Sequence, residues 1–318
     1  MTEAGPAVSV IVVTFDSAAT ISACLGSLDG AGSGSFEVVV VDNGSSDGSV
    51  GLVRAACPQA TVVPVGANLG FSAGCNLGMR RARGRHLLLL NPDTVMLPGA
   101  LGELVAFLDA HPGAGVAAPK LLNADLTDQG TARSFPTPAV ALFGRRSWLS
   151  RTFPGNRWTR RYLTGRSEVG AAPFEVDWVS GACFAVPRRV VDDVGPLDEG
   201  FFMYWEDADW CRRIRAAGYS VHCVPAARVT HDEGTARQGW APRQVVRFHR
   251  SAYRYYAKHE LCGSRRPLRA PLAAGLGARA AVLVAGAWLR KGTGPAASAA
   301  SGPPVSASSA KAAIGGTT

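Results

Sequence analysis

Four short apolar runs, VSVIVVTF (8–15), FEVVVVD (36–42), ATVVPV (60–65) and RHLLLLN (85–91), open the chain, and each stops at or beside a polar cluster. Runs that are apolar almost continuously, instead of alternating with polar residues, suit strands covered on both faces, as in a parallel sheet flanked by helices. The intervening segments agree, because residues 17–28, 46–56, 71–83 and 98–110 carry apolar residues at helical spacing. The alternation predicts βαβ units and an α/β fold with a mostly parallel central sheet flanked by helices. In such sheets ligands bind outside the carboxyl ends of the strands, so TFDS, VDNGS and LNPD are where chemistry is expected.

Composition bounds the rest. With 318 residues, 47% hydrophobic and 18% charged, the chain can bury a large core and is too apolar to be disordered throughout. A net charge of +9 suits an anionic partner without choosing among nucleotide, lipid head group and nucleic acid. The seven cysteines form no C-x-x-C pair and mostly interrupt apolar runs, which reads as buried, reduced thiols in a cytoplasmic protein. The N-terminus, MTEAGPAVSV, has no basic region before an apolar stretch, so no secretory signal is expected.

Regularity lapses from about 130 to 175 into a basic, aromatic stretch between Arg145 and Arg166, read as a loop or lid. Order returns with FEVDWVSGACFAVPR (174–188), a helix from about Trp205 to Ala217, a strand at 219–225 and a helix over roughly 243–259. The expected organisation is a catalytic domain over 1–260, a basic and apolar helical extension over 261–291, and a disordered tail over 292–318 rich in Gly, Ala, Ser and Pro. Residues 270–289 have the length of a membrane span but are broken by Pro271, Arg279 and glycines. A peripheral membrane helix and a plain surface helix fit that pattern equally.

Several carboxylates sit where they could act. Asp42 ends the second apolar run, where it can bind a base or ribose or simply cap the next helix. A dinucleotide fold would want G-x-G-x-x-G after the first strand, and TFDSAAT is not one. Asp93, in LLLLNPDT, is placed either to hold a hard divalent cation or only to make a turn. The segment DEGFFMYWEDADWCRRIRAAG (198–218) carries Asp198, Glu199, Glu206, Asp207 and Asp209. Glu206 and Asp207 fall in a first helical turn, whose dipole favours the ionised form, behind an aromatic screen. Asp209, spaced i,i+4 from Arg213, reads as a surface ion pair. His231 is either a ligand or a core histidine, and the glycines of NLGFSAGCNLG (68–78) allow close approach of backbone to phosphate or tight helix packing.

Taken in order, VSVIVVTFDS, VVVVDNGSSDGS, NLGFSAGCNLG, LLLLNPDT, WVSGACFAVPR, LDEGFFMYWEDADWCRRIRAAG and the late His231 resemble the family-2 glycosyltransferases. The similarity is greatest to their bacterial rhamnosyltransferase-like branch and extends from about residue 8 to 260. The resemblance implies a GT-A fold and an inverting transfer from a nucleotide-diphospho-sugar to a hydroxyl of a glycan or lipid-diphosphate-linked acceptor, with dTDP-L-rhamnose the favoured donor. It implies that Thr14, Asp16, Asp42, Asn43, Asn68, Gly70, Asn76, Asn91 and Asp93 hold the donor. Asp93 and His231 would bind Mg²⁺ or Mn²⁺, Trp178, Ser180 and Gly181 would line the acceptor side, and Asp207, with Glu206 beside it, would be the base. The sequence departs from the family at Asp16 and Cys75, where Asn is usual. A binding protein on the same fold and a sugar-phosphate nucleotidyltransferase are the alternatives; the second lacks its phosphate loop after the first strand. No nucleic-acid module accompanies the basic stretch, so no nucleic-acid partner is expected. The basic insert and Arg265, Arg266 and Arg269 instead suit either an anionic membrane surface at the inner face of the cell membrane or a plain solvated basic lid.

Overall fold

A computed structural model describes residues 5–32, 34–135, 172–232 and 241–292. The expected lid around Arg145–Arg166 and the expected disordered tail lie outside the described residues, apart from Gly292.

The first half follows the predicted alternation: β1 (Val8–Thr14), α1 (Ile21–Gly26), β2 (Phe36–Asp42), α2 (Ser49–Ala56), β3 (Thr61–Pro64), α3 (Phe71–Arg81) and β4 (His86–Leu90). These strands pair in parallel in the order β3-β2-β1-β4. Their residues divide alternately between two cores. Val8, Val10, Val12, Val38, Val40, Leu88 and Leu90 face one side of the sheet, while Ile11, Val13, Val39, Val41, Leu87 and Leu89 face the other. Each strand therefore needs apolar residues on both faces, which is why the runs are continuous. Gly78 of α3 shows how closely a helix is drawn in: a Cβ there would lie 2.3 Å from the Ile11 side chain.

Beyond β4 the sheet is mixed. After β5 (Thr94–Met96), α4 (Ala100–Ala110) and β6 (Ala114–Leu122), the chain forms β7 (Ala132–Arg133), β8 (Phe174–Glu175), β9 (Trp178–Val179) and β10 (Cys183–Pro187). β10 enters between β4 and β6 and runs opposite to β4. α5 (Arg188–Val194), α6 (Glu206–Ala216), β11 (Ser220–His231) and α7 (Pro242–His259) follow. β11 is longer than the seven residues expected because, after a bulge between Val224 and Arg228, it continues along β6 and pairs with β5. Helices α1, α2 and α4 contribute to one core and α3, α6 and α7 to the other. A 3-10 turn (Gly263–Leu268) then leads into α8 (Arg269–Gly292), which packs on α7.

Candidate active site

The carboxyl ends of β1, β2 and β4 coincide, as parallel pairing requires, and their terminal residues interlock. Thr14 lies opposite Asp42 in the ladder, and the Asn43 N–H donates to the Thr14 carbonyl at 2.9 Å. Asp42 is buried and its Oδ1 accepts from the Ser45 N–H. The two loops that follow are tied together: Asp16 accepts from the backbone and hydroxyl of Ser46 through Oδ1, and its own N–H donates to Ser45 Oγ. Asp16 sits at φ 48°, a left-handed conformation that Asp and Asn tolerate better than other side chains. That shared tolerance accounts for Asp standing where the family usually has Asn.

The glycine-bearing segment closes a third side. Asn68 Oδ1 accepts from the Gly70 N–H, and Asn43 Nδ2 donates to the Gly70 carbonyl at 3.1 Å. Gly70 has φ 91°, and a Cβ would sit 2.4 Å from the Phe202 carbonyl, so only glycine lets this turn meet the 198–206 segment. Asn76 does not face a ligand. It is buried in α3, donates to the Leu197 carbonyl and Glu199 Oε1, and accepts from the Leu197 N–H. Its amide is used in bracing that segment.

Asp93 and His231 meet because β11 reaches β5. His231 pairs with Thr94 in the ladder, the Asp232 N–H donates to the Asp93 carbonyl, and His231 Nε2 lies 3.4 Å from Asp93 Oδ1. That oxygen is buried and accepts no hydrogen bond among the described residues. Thr14 Oγ1, Asn43 Oδ1 and Glu206 Oε2 are buried polar atoms in the same condition. Buried polar atoms are nearly always satisfied; these exceptions lie near Asp93 and Asp207, while His86, His222 and His249 carry others away from the carboxyl ends of the strands. One carboxylate oxygen and one imidazole nitrogen fit a divalent cation such as Mg²⁺ or Mn²⁺. Among the described residues no group of three or more His, Cys, Asp or Glu collects to cage a metal without substrate.

Asp207 is joined to the Asp93 loop by the segment leading into β10. Asn91 donates its backbone N–H to the Ala182 carbonyl at 2.8 Å, and the adjacent Gly181 N–H donates to Asp207 Oδ2 at 2.8 Å. Ser180, whose N–H donates to the Thr131 carbonyl, and Trp178, buried with Nε1 bonded to the Ser134 carbonyl, form the strand leading to Gly181. Asp207 opens α6 after Tyr204 and Trp205, both at positive φ, near 70°. Trp205 is anchored among Phe248, Tyr255 and Tyr256, which holds that strained turn in place.

Three acids in one helical turn have three different environments. Burial, and then the neighbouring Asp207, push the Glu206 carboxyl well up, against the helix-start dipole that favours its ionised form. Beneath it Cys75 is fully buried, and burial together with Glu206 pushes its thiol far up, so it acts as an apolar filler. Burial also raises Asp207, although the Gly181 and Ala208 N–H groups and the Arg133 charge pull it back. Asp209 is not at the surface as expected; it is fully buried. Burial alone would raise it, but His259 at 2.6 Å, Lys258 at 2.8 Å and Arg213 at 3.0 Å hold its carboxyl down. Asp209 is thus spent on tying α7 to α6, whereas Asp207 forms no ion pair with a described residue.

Two site residues were not foreseen. Arg133, on β7, lies over the Trp178 ring at 4.9 Å and near enough to Asp207 to influence it. Gln129 contacts His231. Both lie where the sequence pattern becomes irregular, and nothing but the return of that segment over β9 and β11 reveals them. An open depression of about 360 Å³ lined by Arg85, His86, Asp109 and Arg188 lies at the opposite end of β4. Its cations are committed to Asp109 and to backbone carbonyls, so it is not the chemical site.

Comparison with known proteins agrees with this geometry. Residues 9–193 match the model of glycosyl transferase family 2. The N-acetylglucosaminyl-diphospho-decaprenol L-rhamnosyltransferase of Mycobacterium tuberculosis is 30% identical over 286 residues, covering 86% of this chain and 92% of that protein. A low-salt glycan biosynthesis hexosyltransferase of Haloferax volcanii is 27% identical over 231 residues, 71% of this chain and 67% of its own. Among solved structures, a mannosyltransferase from Pyrobaculum calidifontis in complex with GDP-Man and Mn²⁺ superposes with a TM-score of 0.55 at 21% identity, covering 91% of this chain and 80% of that one. The fold is GT-A, and the chain belongs to glycosyl transferase family 2 as a sugar-transferring enzyme of the hexosyltransferase class.

Proposed function

We propose that this enzyme transfers a sugar, with inversion, from a nucleotide diphosphate to a hydroxyl of a lipid-diphosphate-linked saccharide in cell-envelope polysaccharide synthesis. L-rhamnose from dTDP-L-rhamnose is the donor of first choice, because a relative matched over 86% of this chain and 92% of its own is a rhamnosyltransferase. The observation that carries the reading is the pair of acids linked through the segment leading into β10: Asp93 facing His231, and Asp207 held by the Gly181 N–H, with no ion pair to a described residue but within the influence of Arg133.

In this reading Asp42, Asp16 and the loop of Asn43, Asn68 and Gly70 cradle the nucleoside, with Thr14 and Asn91 at the strand ends beside the diphosphate. Asp93 and His231 would hold a divalent cation, Mg²⁺ or Mn²⁺, which would supply charge neutralisation for the departing diphosphate. Trp178, Ser180 and Gly181 form the acceptor wall. Asp207 accepts the proton of the acceptor hydroxyl as its oxygen attacks the anomeric carbon opposite the leaving group, so no covalent protein intermediate is needed. The test is a thermal-shift screen of dTDP-, UDP- and GDP-sugars with Mn²⁺. We expect dTDP-L-rhamnose to raise the melting temperature by several degrees and EDTA to abolish the shift; no shift with any nucleotide sugar would overturn the reading.

The inner face of an anionic membrane is the proposed location. Gly263–Trp288 is long and apolar enough to cross a membrane, and little of it is buried against the protein. Leu268, Val282, Leu283 and Trp288 are exposed along it, and Arg265, Arg266 and Arg269 lie at its start. Apolar groups next to cations suit a helix seated in an anionic interface. Full-length protein should float with vesicles containing phosphatidylglycerol, and Arg265, Arg266 and Arg269 changed together to Gln should weaken binding by about tenfold, taking ~1 kcal/mol per cation and partial screening. Equal flotation of both proteins would contradict the role of these arginines.

A further inference from the structure

The geometry points to Gln129 as the positioning residue that fixes His231 in the tautomer able to ligate a divalent cation. This rests on the reading of Asp93 and His231 as the metal pair. Gln129 is buried at the end of the turn following β6. Its side chain touches His231 twice. Gln129 Nε2 lies 3.1 Å from the His231 carbonyl and 3.3 Å from Asn123 Oδ1, and Gln129 Oε1 lies 2.8 Å from His231 Nδ1.

A backbone carbonyl can only accept, so the group facing it must be the amide NH₂. That fixes the orientation of the Gln129 amide and leaves Oε1, an acceptor, against Nδ1. Nδ1 must therefore carry the proton, and in a neutral ring the lone pair is on Nε2, the atom 3.4 Å from Asp93 Oδ1. Ligating histidines commonly have the second ring nitrogen tied in this way, and loss of the outer partner weakens metal binding by about 10- to 100-fold. The same segment continues through Thr131, whose carbonyl accepts from the Ser180 N–H, to Arg133 over Trp178. One strap of chain thus touches the metal side and the acceptor side.

The test is Mn²⁺ affinity, measured by electron paramagnetic resonance in the full chain with dTDP present and no sugar donor. Gln129→Leu, which removes the acceptor and both donors, should bind Mn²⁺ about 10- to 100-fold more weakly. Gln129→Glu keeps an acceptor for Nδ1–H and should remain within about threefold of wild type. Equal losses in both variants would show that Gln129 only braces the turn, and unchanged affinity in Gln129→Leu would overturn the proposal outright. Should the Leu variant fail to fold, nitrogen-15 spectra of wild-type imidazole rings at about pH 9, where the ring is neutral, decide the matter directly. Nδ1–H at His231, assigned with His231→Ala, is expected, and Nε2–H would overturn the inference. Asp93→Ala is the control for the underlying reading: if it binds Mn²⁺ like wild type, the metal pair itself is wrong, whereas loss there with no change in Gln129→Leu rejects only the role of Gln129.

Discussion

Asp207→Asn should lower kcat by about 100- to 10,000-fold while leaving donor affinity within about threefold of wild type, the range expected when a positioned general base is removed. The substitution keeps the shape of the side chain and an acceptor for the Gly181 N–H. It places an NH₂ near a second backbone donor, Ala208, at a stability cost of about 1 kcal/mol, too little to unfold the domain. The pH profile provides a second readout. Burial holds the Asp207 carboxyl above its ordinary value, and a base acts only when ionised. Transfer by the wild type should therefore fall as pH is lowered through a value above the usual carboxylate range, and this acid limb should vanish in Asp207→Asn. Rapid-quench measurement of product with donor already bound separates this chemical step from binding.

Asp93→Ala should act on the other half of the reaction. Removing a carboxylate that holds a cation against the diphosphate costs several kcal/mol, equivalent to about 1,000-fold in kcat/KM, and should abolish the dependence of donor binding on Mn²⁺. The folded state should hardly notice, because the Asp93 side chain is about one-third exposed and its Oδ1 accepts no hydrogen bond among the described residues. Circular dichroism should show a melting temperature within about 2 °C of wild type. Titration calorimetry of dTDP with and without Mn²⁺ checks the binding half, and identical affinities for wild type under the two conditions would contradict the role given to Asp93.

The sheet and the ends of its strands are legible in the sequence because burial on both faces writes itself as continuous apolar runs. Val8 to Val13 and Leu87 to Leu90 carry that signal whatever their partners are. The direction of β10 is not written so: CFAVP would be equally apolar running either way, and only its insertion between β4 and β6 makes the sheet mixed. The acids divide along the same line. The spacing of Asp209 from Arg213 shows in the sequence, but not that Asp209 is also claimed by Lys258 and His259, about fifty residues later, while Asp207 is not. Asn76 likewise looks like a ligand contact until Leu197 and Glu199 arrive to use its amide. Gln129 and Arg133 gave no sequence signal, since a lone amide and a lone arginine acquire meaning only from what they fold against. Family resemblance was needed at Asp93, where local chemistry favoured a simple turn over a metal ligand.

The most direct test combines the purified chain with Mn²⁺, dTDP-L-rhamnose and a prenyl-diphosphate-linked N-acetylglucosamine acceptor, following dTDP release and the anomeric proton of the product by nuclear magnetic resonance. The account predicts one dTDP released for each sugar transferred, a product of inverted anomeric configuration, and no reaction in EDTA. Transfer with retained configuration, or undiminished transfer in EDTA, would contradict it.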